Sequence, residues 1–60
     1  MNYVIKVTWP KVNVHYYLNA AGRLGPLGDA FRYAKLSIAQ IMVNLQTGHY
    51  EDATLEIVPV

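Results

Sequence analysis

The chain offers few side chains that could do chemistry. His15 and His49 are its only two imidazoles, and imidazole is both the commonest metal ligand and the side chain that titrates nearest neutral pH. They share no HxH, HxxxH or HExxH spacing that would bring two ligands to one ion. His49, Glu51 and Asp52 lie close enough in sequence for a turn to converge them on a cation, although solvated turn residues are the plainer reading. Ser37 is the single serine and has no GxSxG context to raise it as a nucleophile. The glycines of GRLGPLG, at positions 22, 25 and 28, fit neither GxGxxG nor GxxxxGK[ST], so a phosphate-cradling loop is unsupported. Cysteine is absent, which removes disulfides and thiolate chemistry together. The residues describe a non-enzymatic chain with no catalytic group, metal or cofactor.

These side chains have to be positioned by few elements. Asp29 to Gln46, DAFRYAKLSIAQIMVNLQ, is the one stretch long enough for a substantial helix. Phe31, Ala34, Ile38, Ile41, Met42 and Leu45 recur at helical spacing and form the expected core stripe. Asp29 is the expected N-cap, just after Pro26 and Gly28, and Gly48 is a natural stop. On the far side Leu36, Ala39 and Val43 form a second apolar strip beside Arg32 and Gln40. In a single-layer packing that strip faces water, which makes it the expected protein interface.

The remainder reads as strands. Tyr3, Ile5, Val7 and Trp9 alternate with Val4, Lys6 and Thr8, the period of a half-buried strand, and Trp9-Pro10-Lys11 is a turn. Val12, Val14, Tyr16 and Leu18 alternate likewise with Asn13, His15 and Tyr17, so the two strands should form an antiparallel hairpin. Asn19 to Gly28 is a glycine-rich loop. After a turn over residues 47–52, a last strand from Ala53 to Val58 places Leu55 and Ile57 inward, and Pro59 ends it or lies on an edge. The predicted fold is α+β: a single ββαβ domain spanning residues 1–60, with a three-stranded antiparallel sheet in the order 2-1-3 and one helix on one face. The competing topology pairs the third strand in parallel with the second through a right-handed crossover.

Sixty residues make a small core, since a chain of this length buries only about 60% of the surface its unfolded form exposes. No apolar run approaches the roughly 20 residues that span a bilayer, and the opening MNYVIKVTW lacks a signal-peptide pattern; a cytoplasmic protein is expected. The net charge of +1 is too small to imply nucleic acid by itself. Its distribution is uneven, because Lys6, Lys11, Arg23, Arg32 and Lys35 all precede residue 36, whereas Glu51, Asp52 and Glu56 all follow it. On the outer sheet face, lysine beside tyrosine is a chemistry that holds single-stranded nucleic acid, through phosphate attraction and base stacking. Lys6, Lys11, His15, Tyr17 and Arg23 are the residues of that alternative.

The pattern over nearly the whole chain resembles small ββαβ accessory proteins encoded in phage and prophage gene clusters. It rests on the Tyr3-Val4-Ile5 opening, Tyr16-Tyr17-Leu18 closing the hairpin, Gly22 in the loop, Ala30 with Tyr33 and Ala39, and the ending Glu56-Ile57-Val58-Pro59-Val60. Such proteins carry a helix cap where this chain has Lys35, so a start at Asp29 and a start near Lys35 both stand open. A late start makes Tyr33, rather than Phe31, the buried aromatic. The resemblance implies a viral, mobile-element accessory protein that works in the host cytoplasm by binding a host protein, with inhibition of host defence (an anti-CRISPR, for example) as one concrete form. Arg32, Leu36, Ala39, Gln40 and Val43 are the expected contact residues, toward a host protein or a second copy in a homodimer; no membrane partner is expected.

Overall fold

A computed structural model describes all of residues 1–60. The first strand, β1 (Tyr3–Trp9), forms because its β-branched and aromatic residues alternate with polar ones. It turns through residues 10–13 into β2 (Val14–Leu18), with Asn13 in the left-handed region at φ 55°. Asparagine tolerates that conformation better than the valines either side of it. The hairpin is antiparallel, with Lys6 opposite Tyr17 and Trp9 opposite Val14. The second strand therefore starts two residues later than the alternation proposed, because Val12 and Asn13 are spent on the turn.

After Leu18 the chain reverses on the side chain of Asn19, whose Oδ1 accepts from the Ala21 and Arg23 amides at 3.0 Å each. Gly22 takes φ +76° in this turn. A two-residue strand, β3 (Leu24–Gly25), then pairs back on β2, and a short 3-10 turn follows over Leu27–Asp29. The helix α1 spans Leu36–Gln46, and β4 (Thr54–Pro59) closes the sheet antiparallel to β1. The strand order is β3-β2-β1-β4. The three long strands keep the expected arrangement around a central β1, and the sheet has four strands rather than three. The fourth was invisible in the sequence because GRLGP carries no strand period.

The helix begins at Leu36 rather than at Asp29. Residues 30–33 are extended because β1 needs a neighbour where β2 turns away: Tyr3 and Tyr33 exchange both backbone hydrogen bonds at 2.8 Å, and the Phe31 amide donates to the Leu18 carbonyl at 3.1 Å. Those bonds outweigh a local preference for helix. Lys35 is the N-cap residue and provides no side-chain cap, so the start is weak. At the other end the Thr47 amide and hydroxyl both donate to the Val43 carbonyl, and Gly48 follows at φ +87°.

One cluster holds the fold together: Ile5, Val7, Leu18, Tyr33 and Ala39, with Met42, Val43, Leu55, Ile57 and Trp9 packed around it. The alternation of β1 assigns Ile5 and Val7 to the helix side, as expected. Val4, on the opposite face beside Val58, is equally buried. Trp9 closes one end, meeting Tyr16 and Tyr50 edge-on and donating its indole N–H to the Glu51 carbonyl at 3.0 Å. Only six of the 60 residues are fully buried, so the core is as thin as the length implies.

Candidate functional site

The helix is turned the other way round from the expectation. Ala39 is fully buried against the sheet and Val43 packs on the core, so these two cannot form an outward strip. Of the expected core stripe Met42 does pack on the core, but the rest is exposed: Ile41 is 55% and Leu45 71% accessible, and Ile38 is about half so. Ser37, Gln40 and Asn44 mark the solvent side, with Gln40 Nε2 donating to Asn44 Oδ1 at 3.1 Å. The opposite of that polar stripe is Ala39, Met42 and Gln46. This was the available signal, and counting apolar residues alone passed over it.

Ile38 edges a groove of about 480 Å³ between the helix and the Asn19 turn. Ile38, Met42 and Gln46 form its helix wall, Leu18 and Tyr33 its floor, and Ala20, Ala21 and Phe31 its far side. Phe31 is exposed and lies 4.7 Å from Tyr33 ring to ring, at an interplanar angle of 67°. Tyr33 is the buried aromatic, as the late start requires. Burial pushes its phenol above its ordinary value, because the phenolate would lose hydration there.

Electrically the flank is bare. The eleven residues of α1 include no charged side chain, and the nearest charges in sequence are Arg32 and Lys35 at its N-terminal end. Of the residues expected to make contacts, Arg32 and Gln40 are exposed, Leu36 is about half-exposed at the helix start, and Ala39 and Val43 belong to the core. The sequence reading missed Phe31, Ile38, Ile41 and Leu45 as surface residues.

On the other face of the sheet, Lys6 lies opposite both Tyr17 and Glu56. His15 meets Tyr17 edge-on at 5.8 Å. Lys6, His15 and Tyr17 come together beside Glu56 on the face away from the helix. Lys11, in the hairpin turn, and Arg23, in the Asn19 turn, sit at opposite ends of β2 and do not join them. His49, Glu51 and Asp52 occupy the loop before β4, where His49 packs edge-on to Tyr50 at 5.0 Å. No three histidine or carboxylate side chains converge as metal ligands.

No family model matches the chain, and no curated protein or solved structure does either. The fold is α+β with an antiparallel sheet, and no helix in it is long and apolar enough to cross a membrane.

Proposed function

We propose that this chain is a non-enzymatic protein-interaction module, of the phage-accessory kind, that holds a partner protein against the flank of α1 formed by Phe31, Ile38, Ile41 and Leu45. One observation carries the reading: an uncharged helix of eleven residues exposes three large aliphatic side chains in a row. Depletion of charge at a patch of large apolar residues is what distinguishes an interface core from ordinary surface. Each such side chain removed from water contributes roughly 25 cal/mol per Å² of apolar area. Arg32 and Lys35 supply a basic rim at one end, so the complementary surface is an apolar stripe edged by carboxylates. A host protein is the partner that the phage-like pattern favours, and obstruction of a defence complex is the form such binding would take.

The surface can be tested before its partner is identified. Peptides selected from a random display library against the folded chain should gather on this flank. Binders should weaken by about tenfold or more against an Ile41→Glu, Leu45→Glu double variant, as expected when interface anchors are lost. The variant should unfold within a few degrees of the wild-type temperature. Binders that recognise both proteins equally would defeat the reading.

A second reading draws on Lys6, His15 and Tyr17, which the outer sheet face brings together beside Glu56. It is single-stranded nucleic-acid binding by stacking and phosphate attraction. It predicts an affinity for oligonucleotides that falls steeply with salt and weakens on Lys6→Gln. Absence of binding at low ionic strength would dismiss it.

A further inference from the structure

The β4 edge of the sheet is open, and its backbone groups alternate between facing β1 and facing outward. The Val60 amide donates to the Asn2 carbonyl at 2.9 Å, which marks that pair as hydrogen-bonded. Such pairs alternate along an antiparallel ladder, so Val58, Glu56 and Thr54 turn their backbone groups toward Val4, Lys6 and Thr8 of β1. The phase is confirmed across β1, where Tyr3 turns the other way and bonds to Tyr33. Leu55, Ile57 and Pro59 must therefore turn theirs away from β1. Pro59, which has no N–H, sits where β1 requires none. The N–H and C=O groups of Leu55 and Ile57, with the Pro59 carbonyl, lie along an edge that no other strand covers. The opposite edge is blunted by the two-residue β3, a common protection against pairing; β4 has six residues.

We infer that β4 pairs with β4 of a second copy about a two-fold axis at Ile57, joining the two sheets into one. Ile57 then faces Ile57 of the partner subunit and exchanges both hydrogen bonds with it. The Leu55 amide reaches the carbonyl of the partner's Pro59. Glu56 lies across from Val58 of the partner subunit on the outer face. The neighbouring two-fold register sets Glu56 directly opposite the partner's Glu56, a like-charge contact that disfavours it. Charge thus disfavours the register centred on Glu56, and within each copy Glu56 keeps Lys6 as its cross-strand neighbour. The Ile38, Ile41 and Leu45 flank stays open on both copies, so this dimer is separate from the partner site proposed above and presents it twice.

Sedimentation of the full chain over a micromolar to millimolar series, with amide hydrogen exchange at each end of that series, tests the inference. The wild type should pass from monomer to dimer as the Ile57 amide slows in exchange by tenfold or more. A synthetic chain N-methylated at Ile57 keeps the side chain and every bond to β1 but loses the edge donor. Its dimerisation should weaken on the order of a hundred-fold, as expected for hydrogen bonds lost on both sides of the axis. The Ile41→Glu, Leu45→Glu variant should dimerise like the wild type. A chain that is monomeric throughout, an Ile57 amide indifferent to concentration, or a dimer that survives N-methylation would overturn the inference. A dimer dissolved by the flank variant alone would move self-association to the helix and overturn it as well.

Discussion

Replacing Ala39 with leucine tests which side of α1 is the inner one. Ala39 is fully buried in the cluster with Ile5, Val7, Leu18 and Tyr33. Leucine is nearly as good a helix former as alanine, so the local term is small. What changes is volume: the added carbons have to enter a packed contact, forcing the helix outward or its neighbours off their rotamers, at about 1–3 kcal/mol. A 60-residue domain has about 3–9 kcal/mol of stability in total, so the substitution removes a large share of it. At about 4–8 °C per kcal/mol for a domain of this size, the midpoint should fall by about 5–20 °C. Leu45→Glu is the control, since a side chain 71% exposed should cost no more than about 0.5 kcal/mol. Thermal unfolding followed by circular dichroism, with a urea titration for the free energy, gives both numbers. A neutral Ala39→Leu together with a strongly destabilising Leu45→Glu would refute the orientation of the helix and the site built on it.

Two further outcomes follow from the same packing. Asn19→Ala removes the acceptor that organises the turn beside the groove, and should cost about 1 kcal/mol by urea titration while weakening binders that reach Ala20 or Ala21; no change in either would mean the turn holds itself. Tyr33 has its phenol pKa raised by burial, so the folded state keeps a proton that the unfolded chain releases above about pH 10. Its contribution is fully present below that pH and is lost as pH rises through the folded value. Tyr33→Phe should therefore flatten part of the alkaline decline in unfolding free energy, and an unaltered decline would show that the phenol is not protected.

The sheet was largely legible in the sequence because strand faces alternate with period 2, and one strongly patterned strand, β1, fixed its neighbours. Ile5 and Val7 read inward, and the order of the long strands followed from placing the most regular strand in the middle. The helix was less legible for two physical reasons. Residues 30–33 have no marked extended pattern, and they are held by hydrogen bonds to Tyr3 and Leu18 that only the folded sheet offers. In α1 itself apolar residues occur all round and charges nowhere, so the apolar count could not say which side was buried. The polar stripe of Ser37, Gln40 and Asn44, opposite small Ala39, contained that information. The candidate site was missed with the same error, since Ile38, Ile41 and Leu45 were assigned to the core they do not enter.

The most direct test of the interaction surface is a residue-by-residue map of where a selected binder touches the chain. Amide and methyl NMR shifts of the isotope-labelled protein, recorded as binder is added, should change at Phe31, Ile38, Ile41, Met42 and Leu45 and remain still at Lys6, His15 and Tyr17. Shifts confined to the outer sheet face, with the α1 flank silent, would contradict the account.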